Sequence, residues 1–298
     1  MSEFSEFFVP SSDNTKLHAR LRMPSNPRRM PSGEVGVFLI CHGLLDTKHA
    51  VLFQGLQRML PYASIAFDFR GSGHSTGTTN YGNYLEEAED IRHMVDHING
   101  QDEQRVIGII GHSKGGSSMF LFAQKYPAMC PQLLINLSAR YWLDQEIAGR
   151  WKPHHLEALE KEGVFMWRTF GGAPAAKAPM VDDGYAGLAS VDDVPMREYW
   201  VTAEHLRMRN ATDMSVVQRL PFQHCYVLNI MGSKDKVVPE RDVWEYDRVM
   251  RLGAPDSHRV VTQVVEGASH FWSKQFELTA IEEIISSWLS KVLPLAKL

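Results

Sequence analysis

The sequence predicts an α/β protein with a mostly parallel sheet, helices on both faces, and one helical insertion. Short apolar runs of strand length alternate with longer segments whose apolar residues recur at helical spacing. That alternation stops between residues 140 and 220 and then returns. The 298 residues suit one large domain with an inserted subdomain. Apolar strands joined by helices form parallel sheets that are covered on both sides, which gives the fold class.

The chain begins with two predicted strands, Phe4–Val9 and Lys16–Arg22, on either side of a polar turn at Ser11–Thr15. A loop rich in proline and arginine, Pro24–Gly33, follows them. The next apolar run, Val35–Ile40, is short and is predicted to be a strand. The polar turn and the loop therefore separate the first three strands.

Helices and strands alternate from there to residue 137. The clearest helical pattern belongs to Tyr84–Ile98, whose apolar residues recur every three or four positions. The preceding helix, His49–Leu60, is predicted to end at Pro61. The predicted elements are helix His49–Leu60, strand Ser64–Phe67, helix Tyr84–Ile98, strand Val106–Ile110, helix Gly115–Tyr126 and strand Leu133–Leu137.

The segment from 140 to 220 has a different composition. It combines helical pieces, a stretch rich in Gly, Ala and Pro at 171–179, and four of the seven tryptophans. We predict a core of residues 1–139 and 221–298, and a helical lid of residues 140–220 over the carboxyl ends of the strands. The core resumes with strand Tyr226–Ile230, helix Arg241–Arg251, strand Arg259–Val265 and helix Gln275–Val292.

Composition and charge exclude several classes of protein. The net charge of −4 gives no strong basic field for nucleic acid or anionic lipid. The N-terminus has no signal-peptide pattern, and no apolar run approaches membrane-spanning length. Cys41, Cys130 and Cys225 are widely spaced, and Cys41 and Cys225, in or beside apolar runs, are predicted to be buried free thiols. We therefore expect a cytoplasmic protein; its oligomeric state is left open.

The stretch Gly111–Gly115 reads Gly-His-Ser-Lys-Gly and joins a predicted strand to a predicted helix. The G-x-S-x-G pattern in this context is typical of a nucleophile elbow, a strained turn that projects the serine oxygen from the sheet edge. Gly111 and Gly115 avoid collisions with neighbouring backbone. The alternative is a glycine-rich turn that happens to contain serine, but the context favours Ser113 as a nucleophile.

A serine nucleophile needs a base and an acid. His270 follows the last predicted strand, and Asp235 follows the strand before it, which gives the order Ser–Asp–His. A solvated loop histidine and an aspartate that caps a helix are the alternatives. Asp256 and Glu266 are weaker candidates for the acid.

The developing oxyanion needs backbone donors. Lys114, directly after Ser113, is predicted to give one N–H. Leu44 is predicted to give the other, from the loop Cys41-His42-Gly43-Leu44 after an early strand. His42 is interpreted as a brace for this loop rather than a second base. The side chain of Lys114 could attract anions, but a salt bridge to a nearby carboxylate is favoured.

These residues resemble the α/β-hydrolase superfamily, which implies a mostly parallel eight-stranded sheet. Phe67–Ser75 is similar to the D-x-R-G-x-G-x-S segment of that superfamily, with Asp68 and Arg70 in structural roles. The resemblance is closer to the cinnamoyl/feruloyl-esterase-like branch and its plant and fungal relatives. Gly232–Pro239 fits the G-S-x-D-x-x-V-P motif of that branch, and Glu266–His270 fits its E-G-x-x-H motif.

The resemblance implies a serine esterase that cleaves carboxylic esters through an acyl-enzyme, with no metal and no organic cofactor. The leading hypothesis for its small-molecule substrate is a small to medium hydrophobic ester. A thioesterase would use the same groups. A proline-type aminopeptidase would need an acidic pocket, for which Asp182-Asp183 or Asp192-Asp193 could serve. A ligand receptor on this fold is the alternative outside the enzymes. A dehalogenase is disfavoured because Ser113 stands where its elbow carries aspartate.

The insertion has no residue-level match to a characterised esterase, so the substrate is not implied. Its aromatic residues could line an acyl or aryl pocket, and Trp142, Trp167 and Trp200 are the predicted substrate contacts. The alternative, favoured for most of the lid aromatics, is that they form the core of the lid.

Overall fold

The computed structural model of the chain describes residues 3–145, 150–170, 194–296 and 298. These residues form an eight-stranded sheet and a separate two-stranded sheet. The strands are β1 (Phe4–Pro10), β2 (Lys16–Arg22), β3 (Val35–Cys41), β4 (Ala63–Phe67), β5 (Gln104–His112), β6 (Leu133–Leu137), β7 (Val164–Phe170), β8 (Arg197–Thr202), β9 (Tyr226–Gly232) and β10 (Val260–Val265).

The helices alternate with these strands along the chain. They are α1 (Val51–Met59), α2 (Tyr84–Asn99), α3 (Lys114–Lys125), α4 (Pro153–Glu162), α5 (Ala203–Ala211), α6 (Arg241–Gly253) and α7 (Gln275–Ala296), with short 3₁₀ turns at Pro127–Met129 and Met214–Arg219. The five helices predicted outside the insertion all form, with ends that shift by a few residues.

The large sheet has the order β1-β2-β4-β3-β5-β6-β9-β10. Strand β2 is antiparallel to β1 and β4, and every pair from β4 to β10 is parallel. Every residue of β3, β4, β6 and β9 is buried, since helices cover both faces of the sheet. The predicted mostly parallel eight-stranded sheet is confirmed.

Two apolar clusters fill the space between the sheet and its helices. Residues of α2, α3 and α6 pack on one face, whereas residues of α1 and α7 pack on the other. Cys41 and Cys225 are buried free cysteines, as predicted, and Cys130 is buried and free as well. Among the described helices, none has the length and apolarity that crossing a bilayer requires.

The segment after β6 is not purely helical. It contains α4 and α5, but also the antiparallel pair β7–β8, which the sequence did not predict. A shared cluster of buried aromatic and apolar side chains holds these pieces together, with Phe165, Phe170, Tyr199 and Val201 at its centre. The stretch at 171–179 and the paired aspartates at 182–183 and 192–193 lie outside the described residues. The limits of the lid at 140 and 220 therefore stay a prediction.

Candidate active site

Ser113 lies on a strained turn between β5 and α3. Its backbone has φ 53° and ψ −120°, a region that non-glycine residues rarely adopt. Its N–H donates to the carbonyl of Leu137 at 2.8 Å, at the end of the neighbouring strand. A Cβ added to Gly115 would lie 2.3 Å from the carbonyl oxygen of His42, so only glycine fits there. The strand, turn and helix predicted around Ser113 are present.

His270 and Asp235 lie next to this serine in one line of hydrogen bonds. The Nε2 atom of His270 is 3.1 Å from Ser113 Oγ, and its Nδ1 atom is 2.7 Å from Asp235 Oδ2. The other carboxylate oxygen of Asp235 accepts the N–H groups of Val237 and Val238, both at 2.8 Å. The side chains of His270 and Asp235 are 6% and 1% exposed. The structure thus brings together the three residues predicted from separate segments.

The topology of the sheet explains this convergence. Ser113 follows β5, Asp235 follows β9 and His270 follows β10, and the carboxyl ends of parallel strands meet at one edge. Asp256 instead precedes β10, where it accepts the N–H of His258. His270 therefore pairs with Asp235 and not with the weaker candidate Asp256.

His112 supports this site, and the sequence analysis missed it. Its Nε2 atom is 2.8 Å from the backbone carbonyl of His270, so the ring donates there and holds the loop. Burial, together with the nearby charge of His270, lowers the pKa of His112 to about 3, which keeps it neutral at pH 7. The sequence feature that could have identified His112 is its position directly before Ser113 in the Gly-His-Ser-Lys-Gly motif.

The loop after β3 passes directly against the serine. A Cβ added to Gly43 would lie 3.1 Å from Ser113 Cβ. His42 is buried and its Nε2 atom accepts the N–H of Phe69 at 3.0 Å, while its Nδ1 atom lies 2.7 Å from the carbonyl of Gly43. His42 therefore braces the loop, as expected, and the predicted donor Leu44 lines the same cavity as Ser113.

Lys114 begins α3, where backbone N–H groups have no helical partner. Its side chain turns away from solvent and donates to Glu87 Oε1 at 2.6 Å and to the carbonyl of Asn80 at 2.9 Å. The ammonium is thus neutralised by a buried carboxylate, which agrees with the favoured salt bridge.

Asp68 and Arg70 form buried ion pairs, as the resemblance implied. Arg70 donates to Asp90 at 2.7 Å, and Asp68 Oδ2 accepts from Lys48 Nζ at 2.6 Å. These contacts anchor the loop after β4.

One group among the described residues, His18, Asp68 and His74, has donor atoms close enough together to bind a metal ion. Lys48 Nζ is already 2.6 Å from Asp68 and 2.7 Å from His18 Nδ1. Because this buried ammonium supplies the positive charge, the group does not fit a cation.

A cavity of about 670 Å³ opens over Ser113 and His270. Trp167 lines it, as predicted. Trp142 instead packs edge-on against Tyr141, and Trp200 is 47% exposed and donates to Glu198. Among the described residues that line the cavity, Trp167 is present and Trp142 and Trp200 are not.

Several basic residues of this cavity were also missed. Arg140, Arg150, Arg168 and Arg209 come from the predicted lid segment, and Lys236 follows β9. Nothing in their spacing along the chain indicates that they share a cavity, because the fold of the insertion brings them there.

The comparisons with known proteins agree with this architecture. Residues 33–271 match the family Hydrolase_4, described as serine aminopeptidase, S33. No sequence among curated proteins matches the chain.

Solved structures with a similar fold include esterases and other hydrolases. Est1E from Butyrivibrio proteoclasticus with ferulic acid bound has a TM-score of 0.67 at 18% identity, covering 96% of this chain and 100% of that one. The esterase Pf2001 from Pyrococcus furiosus has a TM-score of 0.65 at 15% identity, covering 97% and 91%. Mouse α/β hydrolase domain-containing protein 10 has a TM-score of 0.59 at 16% identity, covering 97% and 99%. At these low identities, the similarity to the solved structures shows a shared fold and nothing more specific.

Proposed function

Since the chain belongs to the serine aminopeptidase S33 family of α/β-hydrolases, we propose that it cleaves carboxylic esters with Ser113, His270 and Asp235 as its catalytic triad. The observation that carries this proposal is the continuous line of hydrogen bonds, 2.7 Å from Asp235 to His270 and 3.1 Å from His270 to Ser113. That geometry suits transfer of the serine proton to the imidazole during attack on a carbonyl.

The reaction proceeds in two halves. Ser113 Oγ attacks the ester carbonyl as His270 Nε2 takes its proton, and Asp235 stabilises the resulting imidazolium. The N–H groups of Leu44 and Lys114 hold the oxyanion. His270 then protonates the departing alcohol. In the second half His270 removes a proton from water, which attacks the acyl-enzyme, and Ser113 leaves with that proton as the acid is released.

The charge of the cavity favours an ester over an aminopeptidase substrate. An aminopeptidase must bind a free ammonium group, for which carboxylates are the natural partners. The described lining of the cavity carries one carboxylate, Asp46, whose pKa is raised by burial. The same lining carries several arginines, which would repel an ammonium group.

The test is steady-state hydrolysis of p-nitrophenyl esters from acetyl to dodecanoyl, alongside prolyl and leucyl p-nitroanilides. We expect many turnovers on at least one ester, little on the anilides, and a loss of about 10⁴-fold or more in kcat for Ser113→Ala. Ser286→Ala, an exposed serine on α7, is the matched control and should keep wild-type rates. Turnover of the anilides alone would favour an aminopeptidase, and one cycle or none would favour a receptor.

A further inference from the structure

The cavity over Ser113 has an excess of positive charge. Among its described lining residues, one is a carboxylate and six are basic: Lys114, Arg140, Arg150, Arg168, Arg209 and Lys236. Glu87 neutralises Lys114, but the ion pairs of the structure give Arg150, Arg168, Arg209 and Lys236 no carboxylate partner among the described residues. Charges of one sign in a concave site raise the local concentration of ligands of opposite sign.

Two of these arginines gather around one ring. Arg150 donates to the hydroxyl of Tyr81 at 2.6 Å, and its guanidinium carbon lies 5.7 Å from the ring centroid. The guanidinium carbon of Arg209 lies 5.3 Å from the same centroid. Arg209 also donates to the carbonyl of Leu143, which fixes its position. Both guanidinium groups therefore lie against the Tyr81 ring, and an anion that contacts them would offset the repulsion between their charges.

Arg140 is the third arginine of this group, and its hydrogen bonds are incomplete. Its Nε and Nη2 atoms donate to the backbone carbonyls of Trp142 and Gln145. Its side chain is 7% exposed, and its Nη1 atom has no hydrogen-bond partner among the described residues. The carboxylate of Asp242 lies nearby, with its Oδ2 atom 3.8 Å from Nη1. Oδ2 accepts the N–H groups of Tyr141 and Trp142, whereas Oδ1 has no hydrogen-bond partner among the described residues. A buried donor without a partner is costly, and an anion bound in the cavity would supply an acceptor for Nη1.

Arg140 is also tied to the element that carries the serine. Its carbonyl accepts from Ser117 Oγ at 3.1 Å, one helical turn after Ser113 on α3. Burial lowers the pKa of Arg140, and the charges of Arg209 and Arg150 lower it further despite Asp242. A bound anion beside these three side chains would offset that repulsion.

We propose that the substrate ester carries a carboxylate, on its acyl or its alcohol part, and that Arg140, Arg150 and Arg209 bind it beside Ser113. The planar guanidinium fork matches a carboxylate with two parallel hydrogen bonds. This inference rests on the proposed ester hydrolysis and names the class of substrate for it.

The test compares each acid with its neutral amide. On the acyl side the pair is mono-p-nitrophenyl adipate and its terminal amide. On the alcohol side it is p-acetoxybenzoate and p-acetoxybenzamide. Rates in Ser113→Ala are subtracted, which removes intramolecular hydrolysis by the carboxylate. We expect kcat/KM to favour the acid by about tenfold to a hundredfold in at least one pair, and less at high salt.

Three variants assign the preference to the cavity. Arg150→Gln and Arg140→Gln should each lower the acid-to-amide ratio by about tenfold, mainly through KM, while turnover of the amide shows that the folded site survives. Arg248→Gln removes the same charge from the exposed face of α6, where Arg248 pairs with Glu245, and should leave the ratio unchanged.

A ratio near one in both pairs, with normal turnover of the amides, would overturn the carboxylate proposal and leave ester hydrolysis intact. A ratio that neither arginine variant changes would overturn it too. Absence of turnover on these esters and on the simple p-nitrophenyl esters would contradict the proposed function itself.

Discussion

Asp235 illustrates how single residues fix the geometry of the site. One of its carboxylate oxygens accepts from His270, and the other accepts two backbone N–H groups. The carboxylate therefore cannot rotate without losing hydrogen bonds in a buried place. It orients the imidazole so that its Nε2 atom faces Ser113.

We predict that Asp235→Asn lowers kcat on a p-nitrophenyl ester by about 10³- to 10⁴-fold. The amide cannot stabilise the imidazolium, and it favours the wrong tautomer of His270. Asp256→Asn is the matched control, because this aspartate lies at the amino end of β10 and contacts Arg259 instead. If Asp235→Asn kept more than a tenth of the wild-type rate, the role given to this carboxylate would be wrong.

The sequence predicted which residues would lie together where each of them directly follows a strand. Ser113, Asp235 and His270 each follow an apolar run that ends in a turn, which the sequence displays directly. The aromatic residues of the insertion lack such a frame. Trp142 and Trp200 were predicted to contact substrate, but their orientation depends on packing between segments, which composition does not reveal.

Between elements, a buried ion pair joins α2 to α3. Lys114 on α3 and Glu87 on α2 are each 4% exposed and lie 2.6 Å apart. The second oxygen of Glu87 accepts from Ser118 on the next turn of α3. This contact positions the start of α3, and with it the N–H proposed for the oxyanion hole.

We predict that Glu87→Leu lowers the free energy of unfolding by about 3–5 kcal/mol, because it leaves the Lys114 ammonium buried without a carboxylate. The double variant Glu87→Leu with Lys114→Met should recover most of that loss. Urea unfolding measures both.

The matched control is Lys125→Met, which removes a partly exposed pair with Glu89 between the same two helices and should cost less than about 1 kcal/mol. Equal losses for Glu87→Leu and Lys125→Met would contradict the account of the buried pair.

At the level of elements, the sequence analysis missed strands β7 and β8, which are buried at only some of their positions. The strands of the large sheet were visible as apolar runs, since burial on both faces leaves a local signature. Strand β7 pairs with β8, whose partner residues lie more than twenty-five positions away, as in Phe170↔Arg197. Residues 164–170 and 197–202 form strands because they pair with each other in the folded chain. The sequence does not reveal that pairing, and the insertion was therefore predicted to be helical.

The whole molecule supplies the convergence that the chemistry needs. Three parallel strands end at one edge of the sheet, and the described part of the insertion adds Arg150, Trp167 and Arg209 to the cavity above that edge. From the order of the strands, the sequence predicted that Ser113, Asp235 and His270 would lie at the same edge of the sheet. It did not predict the charge of the cavity, because the arginines come together only through the path of the insertion.

The most direct test of the claim that Ser113 is the nucleophile is covalent labelling of the folded protein with an alkyl fluorophosphonate. The labelled residue is then identified by peptide mapping with mass spectrometry. A serine activated by His270 should take up about one label per chain, on Ser113, and Ser113→Ala should take up none. His270→Gln should label far more slowly, because the serine would lack its base. Hydrolysis of esters without labelling of Ser113, or with the label on another residue, would contradict the claim that this serine is the nucleophile.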